Sequence, residues 1–222
     1  MSINLELKKY IEKNIFPKYE KYYSHGIIHI NNVIKNILML AKYYNLDENM
    51  AFVIASYHDL GLKTNREMHE FESGKILNAD LELKKYFNIQ QIKIMKEAVE
   101  DHRGSRKEPP RNIYGKILSD SDRDFNIEIL AKRQLATSLK NYPELISFNE
   151  HFERCYKYML TRINNSGKFN LWTDNPILIE KRNKFESDFL NKDFAKTIYL
   201  KEWNKILNDG TMEKIINYYE DF

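Results

Sequence analysis

The chain has 222 residues, 42% hydrophobic and 30% charged, which is enough to bury the core of one large domain. Its 35 basic and 32 acidic residues nearly balance and no dense basic block is present, so the charge does not predict binding to a nucleic-acid polymer. The single cysteine, Cys155, excludes an intramolecular disulfide and fits a cytoplasmic location. We expect neither a signal peptide nor a membrane span.

Apolar residues recur at helical spacing along most of the chain, whereas the alternation typical of strands is nowhere sustained. A first amphipathic stripe covers residues 3–15 and ends near Pro17, and a second covers residues 33–41. Asp47 is a favourable N-cap for a third helix, which reaches His58. Further helices are predicted over residues 67–78, 90–102, 113–123, 127–139 and 143–164, with two or three more after a loop near 165–176. The sequence therefore predicts an all-α protein.

His58 and Asp59 place an imidazole beside a carboxylate where the third helix ends. Inside a helix two neighbouring side chains diverge by about 100°, but at a helix end both can turn toward one ion. We expect Gly61 to end the helix in a left-handed conformation. An isolated His-Asp pair is also typical of a capped helix with an exposed Asp. The metal interpretation depends on the other potential ligands in the chain, which are His29, His69, His102 and Asp122.

The order of these residues resembles the H…HD…D pattern of the HD superfamily of metal-dependent phosphohydrolases. The local contexts are also similar, namely His-Gly-Ile-Ile-His at residues 25–29, Tyr-His-Asp-Leu-Gly at 57–61 and Asp-Ser-Asp-Arg at 120–123. The resemblance covers roughly residues 20–140 and implies an HD-domain helical bundle, and with the N-terminal helix we predict a core over residues 1–140. Residues 141–222 would then be additional C-terminal helices, packed on the core within the same globular unit.

The resemblance also implies a set of metal ligands. One divalent ion would be held by His29, His58, Asp59 and Asp122. Two imidazoles and two carboxylates suit Mn, Fe, Ni, Co or Zn, and Mg is also compatible. Asp120 competes with Asp122 for the last position, because the two side chains point about 200° apart on one helix. The family pattern favours Asp122.

His69 and His102 lie between the HD pair and the last Asp. Branches of the superfamily that hold two ions add two histidines in this interval, so the resemblance allows a second ion with Asp59 as the bridge. The alternative is that one or both histidines form a hydrogen bond to phosphate or to a carboxylate such as Glu70 or Asp101.

Several cations follow the predicted ligands in the chain. We expect their loops to edge the pocket, where they would neutralise phosphate oxygens; solvated loop charges are the alternative. His25 lies four residues before His29 and is expected on the substrate side of the site. The predicted substrate-binding residues are His25, Lys63, Arg66, Arg103 and Arg106.

The resemblance implies hydrolysis of a phosphoester or phosphoanhydride in a small molecule, for which we favour a nucleotide, by attack of a metal-bound hydroxide. Asp59 and His102 are the predicted catalytic residues; His102 would bind a second ion or donate a proton to the leaving oxygen. One alternative is an HD-fold di-iron oxygenase acting on a small alcohol or phosphonate. Another is a non-catalytic, metal-containing ligand-binding module. A homo-oligomer is compatible with each of these functions.

Overall fold

The computed structural model describes residues 3–19, 26–123, 125–165 and 169–208. These residues contain no β-strand, which confirms the predicted all-α class. The first helices are α1 (Leu5–Asn14), α2 (Ile27–Tyr43), α3 (Glu48–Tyr57), α4 (His69–Ala79), α5 (Ile89–Glu100) and α6 (Ile113–Ser121). The later helices are α7 (Ile127–Asn141), α8 (Phe148–Asn165), α9 (Pro176–Leu190) and α10 (Lys192–Asn208). None of these helices is long and apolar enough to cross a membrane.

The helices form two compact units. The first contains α1 to α6 together with residues Trp172–Asn175, and the second contains α7 to α10. Helix α7, which the sequence places before the boundary at residue 140, lies in the second unit, because it packs against α8, α9 and α10. The division into an HD core over residues 1–140 and an extension over 141–222 stays a prediction.

Helix α3 is the centre of the first unit. All of its residues from Met50 to Tyr57 are buried, because the helix is apolar on every side and α2, α4, α5 and α6 pack around it. Asp47 caps its N-terminus as predicted, with the carboxylate accepting hydrogen bonds from the backbone N–H groups of Asn49 and Met50. The buried helix holds the HD pair, which follows Tyr57, at a fixed position.

Gly61 does not adopt the predicted left-handed conformation. Helix α3 ends at Tyr57, and a short 3-10 helix, Leu60–Lys63, continues the chain. A Cβ atom at Gly61 would lie 2.3 Å from the carbonyl oxygen of His69 and 2.7 Å from the backbone nitrogen of Ser73. Glycine is therefore required because α4 approaches the backbone closely, and this approach brings His69 toward the HD pair.

The second unit has an aromatic core. Phe152, Phe185, Phe189 and Tyr199 are buried, and Phe152 meets Tyr199 edge to face with ring centroids 5.3 Å apart. Cys155 is also fully buried in this unit.

Candidate metal centre

All the described candidate ligands lie at helix ends within the first unit. They are His29 in the first turn of α2, His58 at the C-cap of α3, Asp59 after it, His69 at the start of α4, His102 just after α5, and Asp122 at the C-cap of α6. A helix end lets a side chain turn away from the helix axis. The ends of five helices can therefore direct their side chains toward one region while the helices stay packed together.

The first group of donors consists of His29, His58, Asp59 and Asp122. The Nε2 atom of His29 lies 3.0 Å from Asp122 Oδ1 and 3.7 Å from Asp59 Oδ2. The Nε2 atom of His58 lies 3.3 Å from Asp59 Oδ2 and 3.6 Å from Asp122 Oδ1. Donors bound about 2.1 Å from one ion at tetrahedral or octahedral angles are separated by about 3.0–3.4 Å. The observed separations thus fit ligands arranged around a single ion.

The second group consists of Asp59, His69 and His102. The other carboxylate oxygen of Asp59, Oδ1, lies 3.6 Å from His69 Nε2 and 3.7 Å from His102 Nε2. Potential ligand atoms of these three residues lie within 4.8 Å of one another. Asp59 therefore presents one oxygen to each group of histidines, which is the arrangement of a carboxylate that bridges two ions.

Three of the histidines are held in the same way through their Nδ1 atoms. The acceptor in each case is the backbone carbonyl three residues earlier: Ala55 at 2.8 Å for His58, Arg66 at 3.0 Å for His69, and Val99 at 2.6 Å for His102. Because Nδ1 donates to a carbonyl, the Nε2 lone pair of the neutral ring is available to a metal ion.

The environment of His58 supports a cation at the first group. Its Nε2 atom is buried and has no hydrogen bond among the described residues, although two carboxylate oxygens lie within 3.6 Å. Burial lowers the pKa of His58, but the carboxylates of Asp59 and Asp122 outweigh burial and raise that pKa well above its usual value. The carboxylates of Asp59 and Asp122 thus favour positive charge at this point. A divalent ion would supply that charge in place of the imidazole proton.

The pKa values of Asp122 and His69 are also shifted by their surroundings. Burial raises the pKa of Asp122, but the imidazoles of His29 and His58 outweigh it and lower that pKa well below its usual value. At the second group, burial and the neighbouring His102 lower the pKa of His69. Asp122 is therefore ionised and His69 is neutral near pH 7, as metal ligands must be.

Asp120 and Asp122 have separate partners. The carboxylate of Asp120 accepts hydrogen bonds from the backbone N–H groups of Trp172 and Thr173, each at 2.9 Å, and from Thr173 Oγ1 at 2.7 Å. Burial raises the pKa of Asp120, and these donors partly offset the shift. Asp122 faces the histidines, and so the structure brings Asp122 and not Asp120 to the donor cluster. That Asp122 binds a metal stays a prediction.

The predicted substrate-binding residues differ in their surroundings. Lys63 and Arg66 are exposed in the segment between the HD pair and His69. Arg103 lies 3.2 Å from the buried Glu70, and Arg106 lies 3.0 Å from the buried Asp101. His25 lies outside the described residues. Contact of any of these residues with a substrate stays a prediction.

A network of ion pairs anchors the loop after His102, and the sequence did not reveal it. Arg111 donates to Asp101 Oδ2 from its backbone nitrogen at 2.8 Å and from Nε at 2.9 Å, and its Nη2 lies 2.7 Å from Glu100 Oε2. Arg106 approaches Asp101 from the loop as well. The acidic residues at the end of α5 could have suggested this pairing, because the loop that follows them is rich in arginine.

Comparisons with known proteins agree with this geometry. Residues 26–126, which include every described candidate ligand, match the family model described as the HD domain. This match confirms, over these residues, the resemblance identified from the sequence. No curated protein matches the chain significantly.

A solved structure has a similar fold. It is a crystal structure of a predicted HD superfamily hydrolase from an uncultured Thermotogales bacterium, with a TM-score of 0.52. The two sequences are 19% identical, and the match covers 86% of this chain and 91% of the other. At this level of identity the match shows a shared fold, and it does not identify the substrate of this chain.

Proposed function

We propose that this protein is a cytoplasmic, metal-dependent phosphohydrolase that cleaves a phosphoester or phosphoanhydride in a small molecule, namely a nucleotide. The observation that carries the proposal is the placement of Asp59. Its two oxygens face two separate pairs of histidines at distances of 3.3–3.7 Å. An HD domain over residues 26–126 supports the same class of activity.

The residues divide into two sets of ligands. His29, His58, Asp59 and Asp122 would hold one ion, and His69 and His102 would hold a second with Asp59 shared between them. Bound ions would lower the pKa of water and polarise the phosphorus–oxygen bond. If only one ion is present, His102 would donate a proton to the leaving oxygen, because its Nε2 atom lies 3.7 Å from Asp59 Oδ1, beside the donor cluster.

The substrate side is formed by the segment between the HD pair and α4. Lys63 and Arg66 are exposed there and can approach phosphate oxygens, and the guanidinium group of Arg66 can bind two of them at once. The balanced overall charge supports a small phosphorylated molecule over a polynucleotide.

The test is a metal analysis followed by a substrate screen. The purified protein would be stripped of metal and reloaded separately with Mn²⁺, Fe²⁺, Co²⁺, Ni²⁺, Zn²⁺ or Mg²⁺. Release of phosphate or of a nucleoside would be measured on a panel of nucleotides and simple phosphoesters. We expect turnover with at least one transition metal and none in Asp122→Asn. Turnover that is unchanged in the fully stripped protein would contradict the proposal.

The same ligand set is compatible with a di-iron oxygenase, so the iron-loaded protein would also be assayed for O₂ uptake with alcohols and phosphonates. Substrate-dependent O₂ uptake without hydrolysis would replace the proposal with that activity. Tight nucleotide binding without either reaction would indicate a binding module in which the metal has a structural role.

A further inference from the structure

We infer that Arg103 is a positioning residue for the second metal ion and not a ligand for substrate phosphate. This inference rests on the proposed function only in taking His69 and His102 as ligands of a second ion. Arg103 follows His102 directly in the chain, and it reaches the segment that carries His69. It thereby joins the two parts of the chain that must supply the second set of ligands.

The contacts of Arg103 span more than thirty residues of sequence. One nitrogen, Nη1, donates to the backbone carbonyl of Glu67 and lies 3.2 Å from Glu70 Oε1. Glu67 and Glu70 stand on either side of His69, two residues before it and one residue after it. A single guanidinium group therefore fixes the backbone before His69 and the side chain after it.

Glu70 transmits this contact to the histidine. Its side chain is only 8% exposed, and its second oxygen, Oε2, lies 3.3 Å from His69 Nδ1. Oε2 is buried and has no hydrogen bond among the described residues. His69 Nδ1 donates to the Arg66 carbonyl at 3.0 Å, and the Glu70 carboxylate lies beside that hydrogen bond, while Asp59 lies on the Nε2 side of the ring.

The burial of Glu70 explains why Arg103 stays paired with its carboxylate. A buried carboxylate that loses its cation is destabilised, so it turns toward water. This movement would take the carboxylate away from Nδ1 and release the start of α4. The side chain of Met68, the N-cap residue of α4, makes no capping hydrogen bond, and the residues before the helix are held by the Asn65 side chain and by Arg103. Arg103 is therefore expected to control the position of His69.

The test measures metal binding directly, without an activity assay. Metal-stripped wild-type protein, Arg103→Met, Arg103→Lys and Glu70→Gln would be titrated with Mn²⁺ or Zn²⁺ by calorimetry, and bound metal would be counted by elemental analysis. We expect two ions in the wild type. In Arg103→Met and Glu70→Gln the second ion should bind about 10–100-fold more weakly while the first is unchanged, the range seen when residues behind metal ligands are replaced.

Two further variants sharpen the result. Arg103→Lys retains the charge but has a single ammonium group, so its affinity for the second ion should be intermediate. The double variant of Arg103 and Glu70 should bind no more weakly than either single variant, because the two residues act in series. Lys107→Met, at an exposed cation in the same loop, is the matched control and should bind both ions as the wild type does.

Each contrary result has a distinct meaning. If Arg103→Met keeps both ions at wild-type affinity but raises the KM for a phosphorylated substrate, Arg103 is a substrate ligand and the inference is wrong. Equal loss of both ions would also overturn it, as would independent, additive effects of the two substitutions. If the wild type binds one ion only, this inference fails, whereas hydrolysis with one ion can still be observed and the proposed function would stand.

Discussion

Replacing Asp59 by Asn should remove both metal ions at once. The substitution keeps the size of the side chain but replaces one carboxylate oxygen by an amide nitrogen and removes the negative charge. Because Oδ2 faces His29 and His58 while Oδ1 faces His69 and His102, both groups lose the negative charge that they share, and the first group keeps only the Asp122 carboxylate. Replacing Asp122, whose carboxylate lies closest to His29 and His58, should weaken the first ion more than the second.

The effect can be expressed as a change in thermal stability. A ligand that binds only the folded protein at 100 times its Kd stabilises the fold by about 2.7 kcal/mol. For chains of about 150–250 residues, each kcal/mol raises the Tm by about 2–4 °C. Adding metal at that concentration should therefore raise the Tm of the wild-type protein by about 5–11 °C for one ion. The Asp59→Asn variant should show little or no increase at the same concentration.

The assay is thermal unfolding of metal-stripped protein with and without added Mn²⁺ or Zn²⁺, together with counting of bound metal. Asp193→Asn is a suitable control, because Asp193 is exposed at the start of α10 and lies far along the chain from the site. The control should bind metal as the wild type does. If Asp59→Asn retains two ions and the full metal-dependent rise in Tm, Asp59 does not bridge and the arrangement of ligands inferred here is wrong.

Three other predictions concern residues outside the donor cluster. Asp120→Asn should lower the free energy of unfolding, measured by urea denaturation, by about 2–3 kcal/mol, because the buried carboxylate of Asp120 accepts hydrogen bonds from the backbone and side chain of Thr173. The amount of bound metal should not change. Burial raises the pKa of the Cys155 thiol, so a thiol reagent should modify native protein at least about 100-fold more slowly than protein in urea. Burial and the Asp80 carboxylate raise the pKa of Tyr10 to about 12. The protonated hydroxyl of Tyr10 therefore stabilises the fold fully below pH 10, and this stabilisation is lost as the pH rises through 12. The free energy of unfolding of Tyr10→Phe should fall less steeply than that of the wild type over this alkaline range.

Local patterns predicted much of the fold and of the site. The apolar spacing indicated the helices, and Asp47 marked the start of α3, because capping and helical periodicity depend on residues within a few positions of one another. The order of His29, the HD pair and Asp122 indicated the donor cluster, because each residue stands in a short recognisable context. Both kinds of information are contained in neighbouring residues.

Contacts between distant residues were not predictable in the same way. The partners of Asp120 are 52 and 53 positions away, and nothing near Trp172 or Thr173 marks them as donors to that carboxylate. Gly61 illustrates a second limit. Its sequence context suggests a left-handed helix end, whereas the close approach of α4 accounts for the glycine. A local pattern shows that a glycine is needed, but tertiary packing determines which of its properties is used.

The histidines show how the helix ends contribute to the chemistry of the site. The last carbonyl groups of a helix lack a hydrogen-bond donor within the helix. His58 donates from Nδ1 to Ala55 near the end of α3, and His102 donates from Nδ1 to Val99 near the end of α5. One hydrogen bond therefore satisfies a helix terminus and sets the tautomer that leaves Nε2 for a metal ion. Because the carbonyl is three residues earlier in the same chain segment, this arrangement is encoded locally at each ligand. Only the convergence of the ligands on Asp59 requires the packed bundle, so a substitution that shifts helix packing should weaken metal binding even when every ligand is intact.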